Sequence, residues 1–427
     1  MNIQPYRTPE VHWPPKMTPW WFKSVDFLRS RALRSQQIHS IELRGLENLK
    51  GALDAKQGVL LAPNHSFHWD SYCLLESARQ LACPFYIMTA WQVFHESRWF
   101  DRISMQRCGC FSVDREGSDL LAMKTAIDIL QNRPHPLVVF PEGDVYHTND
   151  RVTPFREGAA AMGLMAARKS QRDIVVIPVA LKRWYTEDPS ASLAKILDRV
   201  EERLYWQPKS SLPLEERILQ IADGLLSLKE IEFMHRMQST GLDVASGDNS
   251  VQAAEVVSES IREDSPSRFA GLSARISKLA LNILAEVEST VGIGIGKGII
   301  PERVKEVRKR LIEIQGQSQS EIDCGTEMQK MFFVTQLYSY PGDYILRKPS
   351  VERIAETVDK FEEDVLGAAY PSVHGPKKVV VQFGAAIQLP QGKGRTMTAG
   401  ELTERMQIAV QSMLDGLNDQ HDSNLPG

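Results

Sequence analysis

The stretch Val59-Leu60-Leu61-Ala62-Pro63-Asn64-His65-Ser66-Phe67-His68-Trp69-Asp70 decides how this chain is read. Four apolar residues in a row make a short strand buried on both faces, and the polar residues that follow close it. A histidine then stands at the strand end, with a carboxylate five positions on at the start of a helix predicted over 70–80. Across a tight loop the two can turn toward each other. Asp70 would accept from one imidazole nitrogen and leave the other free to take a proton from an alcohol. Spacing alone says little, because His and Asp fall five apart by chance in many chains. The pair gains weight only from its surroundings.

Outward from it, short apolar runs at 41–43, 58–62, 85–88, 111–113, 137–140 and 174–179 read as buried strands. Helical patterns lie between them. The clearest starts at Ser118, a good N-cap, and runs through Leu120, Met123, Ile127 and Leu130 at three- and four-residue spacing. The fold class is α/β: a mixed sheet covered by helices, with a large, mainly helical insertion or C-terminal region. That helical part carries periodic segments at 191–204, 214–233, 269–290 and 301–315, with a polar linker at about 240–266. A strand signature returns at 377–384, followed by a helix over 399–414 that Gly416 would stop. Five segments result: 1–40 N-terminal, 41–185 α/β, 186–375 helical, 376–416 returning strand and helix, and 417–427 a frayed tail.

Three further motifs accompany the first. Gly109-Cys110-Phe111-Ser112-Val113-Asp114-Arg115 sets an arginine just past a strand, where a guanidinium can grip a phosphate or carboxylate through two parallel hydrogen bonds. Phe140-Pro141-Glu142-Gly143 follows another strand, and Val175-Val176-Ile177-Pro178-Val179 lies in a third. Ligands gather at the carboxyl ends of strands in α/β sheets, so one shared site is geometrically reasonable. The bland readings are a surface arginine at 115, a simple turn at 142–143 and a strand-edge proline at 178. For the first pair, they are a loop histidine and an N-capping aspartate.

The ordered series NHSFHWD, GCFSVDR, FPEG and VVIPV resembles the four blocks of the glycerolipid acyltransferase family, typified by bacterial 1-acylglycerol-3-phosphate acyltransferases. The resemblance covers about 41–185 and resumes at VVVQFGAAIQL. It implies an O-acyltransferase of phospholipid biosynthesis with His65 and Asp70 as catalytic pair, Arg115 as acceptor-binding arginine, Glu142 and Gly143 as the Glu-Gly element, and Pro178 on the acyl side. Acyl-CoA or an acyl carrier protein would be co-substrate, with no bound cofactor or metal. The acceptor hydroxyl would belong to a lysophospholipid or glycerol phosphate. Two positions depart from the family pattern. Asp144 stands where Thr or Ser usually follows Phe-Pro-Glu-Gly, and Phe67 stands where a Ser is common. A second anion beside Glu142 would repel a phosphate unless Arg115, Arg151 or Arg156 offsets it. The acceptor's identity therefore stays open.

Rival readings are a metal-dependent hydrolase on His65, His68 and Asp70, and a non-catalytic lipid-binding protein. The usual metallohydrolase spacing, with histidines two apart and Asp-His following, is absent. Gly292-Ile293-Gly294-Ile295-Gly296-Lys297-Gly298 lacks both the phosphate-loop register and a preceding strand, and reads as an interhelical turn. No GxSxG elbow is present, which argues against a serine esterase.

Over 427 residues, 42% hydrophobic and 24% charged, the composition is that of a globular protein, and a net charge of −4 gives no reason to expect nucleic acid. Five cysteines, few and odd in number, fit a reducing cytoplasm. The first residues lack a secretory layout, and no apolar run is long enough to span a bilayer. The segment 17–34 reads as a helix begun by Thr18 and Pro19. It combines Trp20, Trp21, Phe22, Phe27 and Leu28 with Arg29, Arg31 and Arg34, so it either lies in a headgroup interface or packs on the protein's own core. A peripheral location on the cytoplasmic face of a membrane is expected.

Overall fold

A computed structural model describes residues 11–115, 119–240, 269, 271–296, 298–316, 322–392 and 397–423. The chain forms two compact units. One holds the described residues up to Pro189 and from Ala369 on; the other is Ser190–Ala368.

The first unit is built on one mixed sheet. Its strands are β1 (Ile38–Arg44), β2 (Gly58–Pro63), β3 (Tyr86–Ala90), β4 (Cys110–Val113), β5 (Leu137–Val138), β6 (Ile174–Tyr185), β7 (Lys377–Phe383) and β8 (Ile387–Gln388). They lie in the order β1-β7-β6-β2-β5-β3-β4, with β8 pairing β6 off that path. From β6 to β4 all neighbours are parallel, whereas β7 runs antiparallel to β6 and parallel to β1.

The apolar runs are continuous because both faces of the sheet are covered. On β2, Leu60 and Ala62 face one core and Val59 and Leu61 the other; on β6, Ile174, Val176 and Ala180 alternate in the same way with Val175, Ile177 and Val179. Helices Leu120–Asn132, Gly158–Lys169 and Ala399–Ser423 cover the first face, and Leu46–Asp54 and Asp70–Gln80 the second.

Several expectations need correction. Helix Leu120–Asn132 is capped by Asp119, whose carboxylate accepts from Ala122 N; Ser118 lies outside the described residues. Gly416 does not end the last helix, which runs to Ser423 because Leu414 and Leu417 stay buried on either side of it. Residues 418–423, expected to fray, are therefore helical, and 424–427 lie outside the described residues. Pro178 is not at a sheet edge: its strand is flanked by β2 and β7, Ala62 is its register partner, and its carbonyl accepts from Gly384 N. The segment 17–34 forms two helices, Pro19–Ser24 and Asp26–Ser35, parted at Val25. Phe22 and Leu33 are buried, and Arg29 is turned inward against Asp26 at 2.8 Å and Glu76 at 3.0 Å.

The second unit is helical, with Leu272–Thr290, Ile300–Gln315 and Cys324–Tyr338 packed around Leu279, Ile283, Val307, Leu311, Met331 and Val334. The glycine-rich stretch at 292–298 connects the first two of these helices; Lys297 lies outside the described residues. Most of the linker expected at 240–266 does too. No helix among the described residues is long and apolar enough to cross a membrane.

Since β7 joins β1 to β6, a fragment ending at Pro189 should not fold alone. By gel filtration and near-ultraviolet circular dichroism we expect aggregation or loss of fixed tertiary signal. A monomeric, cooperatively melting fragment would contradict the topology.

Candidate active site

The loop between β2 and helix Asp70–Gln80 is organised by a single carboxylate oxygen. Asp70, 2% exposed, turns its side chain back from the first helical turn, and its Oδ2 accepts from Ser66 N and Phe67 N, both at 2.8 Å, and faces His65 Nδ1 at 3.1 Å. It therefore caps the loop preceding its helix. A carboxylate held by two backbone N–H groups only accepts, so Nδ1 carries the imidazole hydrogen and Nε2 keeps its lone pair. The His65 side chain retains 19% of its exposure, enough for an alcohol to approach.

The segment after β5 wraps the other sides of His65. The Phe140 ring stacks on the imidazole at 4.1 Å, Glu142 Oε1 accepts from His65 N at 2.6 Å, and Tyr146 N donates to His65 O. Glu142 Oε2 accepts from Thr153 N. Burial pushes the Glu142 carboxyl up to about 8, with Asp70 adding to the rise, against the pull of the His65 and Thr153 donors.

Arg115, past the end of β4, reaches the same segment. Its Nη1 donates to Gly143 O at 2.8 Å and lies 3.3 Å from Asp144 Oδ1, and both side chains are 15% exposed. It is no surface arginine. Gly143 has φ +77°, and an added Cβ would stand 2.7 Å from Arg156 Nε, so position 143 requires glycine both for its backbone and for the guanidinium against it. The fold thus brings His65, Asp70, Glu142, Gly143 and Arg115 together. Pro178 joins them only as the sheet neighbour of Ala62, three residues before His65.

Several supporting residues escape sequence reasoning. Beyond the end of β2, the Asn64 side chain exchanges two hydrogen bonds with the backbone of Leu181, and Asn149 does the same with Arg183. Two loops are thereby docked on the stretch of β6 that runs past its last pair with β2, by amides that imitate a strand. Arg183 donates to Ser66 O at 3.3 Å, and its guanidinium lies 4.3 Å over Phe67. From the last helix, Gln411 and Gln407 accept from Val152 N and Phe155 N. The one legible hint was the amide at 64, next to the histidine.

With Asp70 Oδ2 committed to three N–H groups, His65, His68 and Asp70 do not converge as metal ligands; His68 instead packs edge-on against Trp69, His147 and Tyr370. Residues 40–182 match the family model described as Acyltransferase, a span that holds β1 from its third residue through most of β6 and includes His65, Asp70, Arg115, Glu142, Gly143 and Pro178. This segment is similar to the acyltransferase family. The sheet of this segment is completed by β7 and one of its faces is covered in part by the last helix, both of which lie outside the matched span. No curated protein matches the chain.

A group whose folded-state pKa lies above its unfolded value contributes most at low pH, and the contribution is lost as pH rises through the folded value. For Glu142 that window runs from the ordinary carboxyl range to about 8. The melting temperature of the wild type relative to Glu142→Gln should therefore fall between roughly pH 5 and pH 8. Parallel melting profiles would show that the carboxyl is not raised.

Proposed function

We propose that this protein is a glycerolipid-type O-acyltransferase that moves a fatty acyl group from acyl-CoA or acyl carrier protein to the hydroxyl of a lysolipid acceptor in phospholipid synthesis. The observation that carries the reading is the Asp70-held imidazole of His65 at a strand end, inside a segment similar to the acyltransferase family. His65 Nε2 takes the hydroxyl proton as the oxygen attacks the thioester carbonyl. The C–S bond then breaks, and the thiolate leaves with the proton held by the imidazole. Asp70 keeps the ring in the reactive tautomer and offsets its charge once protonated, and Glu142 fixes the loop by its grip on His65 N. Arg115 and Gly143 border the acceptor side, and Pro178 belongs to the wall toward the acyl chain.

Location at a membrane surface is supported by an aromatic cluster on the same unit. Trp20 and Trp99 are 61% and 72% exposed, and Phe27 is 63% exposed. Ring contacts link Trp20 to Trp21, Trp21 to Phe100 and Phe100 to Trp99, with the Arg107 guanidinium over Trp21. Aromatic rings beside arginines suit the headgroup layer of an anionic cytoplasmic leaflet.

With purified protein, labelled acyl-CoA or acyl carrier protein and a panel of lyso-lipids, His65→Ala and Asp70→Asn should lower transfer by about 10² to 10⁴-fold. Equal transfer by wild type and variants would remove the assignment. Trp20→Glu/Trp99→Glu should weaken sedimentation with anionic vesicles while leaving transfer to a detergent-dispersed acceptor intact; unchanged sedimentation would place the membrane contact elsewhere.

A further inference from the structure

Trp91 and Gln92 open the helix Trp91–Glu96 directly after β3, at the same end of the sheet as His65, Glu142 and Arg115, and this helix packs against β3 and β4. In the sheet β3 lies between β5 and β4. Arg115 follows β4, and its Nη1 donates to the carbonyl of Gly143 in the segment that follows β5. To make that bond the Arg115 side chain crosses the carboxyl end of β3. The strand register agrees: Ala90 pairs with Val113, so Gln92 and Arg115 each stand two residues beyond the same rung.

Both residues are buried, with Trp91 3% and Gln92 5% exposed, yet Trp91 belongs to neither of the cores that flank the sheet. Three polar atoms at this strand end, Trp91 Nε1, Gln92 Oε1 and Arg115 Nε, are buried without a hydrogen-bond partner among the described residues. A buried donor or acceptor left unpaired is costly, so such groups are rare in a folded chain. Two on consecutive residues, beside an arginine with an unpaired edge, point to a place where another molecule supplies the partners. Arg115 Nη1 is committed to Gly143 O and faces Asp144, whereas Nε lies on the edge of the guanidinium that can grip an oxyanion. The indole N–H and the Nε–H only donate, and they call for anionic oxygens. The carbonyl of Gln92 accepts, and it calls for a hydroxyl. A phosphate with a glycerol hydroxyl beside it offers both.

Resting on the acyltransferase reading above, we infer that Trp91 and Gln92 complete the acceptor site around Arg115: the indole N–H and Arg115 Nε–H bind the phosphate of a lysolipid or glycerol phosphate, and the Gln92 amide accepts from a glycerol hydroxyl. The two side chains bind and orient the acceptor and take no part in the proton transfer at His65.

The test uses the full-length wild type, Trp91→Phe and Gln92→Met, which remove the unpartnered groups while keeping an aromatic ring and an unbranched chain of similar length. With 1-hexanoylglycerol-3-phosphate as acceptor, both variants should raise its KM about tenfold or more, with KM for the acyl donor unchanged. In the absence of donor, the same lipid and glycerol 3-phosphate should each raise the melting temperature of the wild type, and the rise should shrink in both variants. Gln92→Met by itself should melt no lower than the wild type, because it deletes a group that has no partner in the chain. Variants that transfer with the wild-type KM for the acceptor overturn the inference and leave acyl transfer standing. A wild type whose melting neither ligand raises also overturns it, as does a Gln92→Met protein that melts lower with unchanged acceptor KM, the behaviour of a side chain that only supports the fold. If nothing is acylated, yet the ligand-induced rise is present in the wild type and lost in the variants, the phosphate site holds and the acyltransferase reading fails.

Discussion

One oxygen atom, Asp70 Oδ2, carries the organisation of the loop that follows β2. By accepting from the backbone at 66 and 67 and from the His65 ring, it closes a six-residue turn and assigns the imidazole tautomer in the same act. The cost of burying this carboxylate is offset by the donors it gathers, since an ionised acceptor forms stronger hydrogen bonds than a neutral one. Removing any of these donors would loosen the loop, and removing the carboxylate would leave two buried N–H groups without it.

The loop is held from outside by parts of the chain that lie far apart in sequence. Glu142 grips it through His65 N, Arg183 through Ser66 O, and Asn64 anchors its root to β6. The segment 139–157 around it is itself tied down by Asn149 to β6 and by Gln407 and Gln411 of the last helix. Since β7 completes the sheet between β6 and β1, the return of the chain after residue 369 is part of the framework of the site.

The strands were legible because a strand covered on both faces must be apolar at consecutive positions, which makes runs such as 58–62 and 174–179 stand out. The His65–Asp70 pair was legible as a strand-end motif, and helix Asp70–Gln80 follows from it. What the sequence hid is a matter of distance and disguise. Asn149 and Asp150 look like surface residues of a polar loop, yet both are buried, and their partners sit at 183 and 182. Arg29 could be read as a headgroup contact or as part of the protein's own packing, and its partner Glu76 on another helix gives the second. Gly416 has the composition of a helix stop, and packing on either side overrides it.

Nitrogen-15 spectroscopy of the histidine rings tests the central claim most directly. In wild-type protein His65 should be protonated at Nδ1 with a free Nε2, and Asp70→Asn should reverse the two. An Nε2-protonated His65 in the wild type, or a tautomer indifferent to Asp70→Asn, would contradict the assignment of this imidazole as the base.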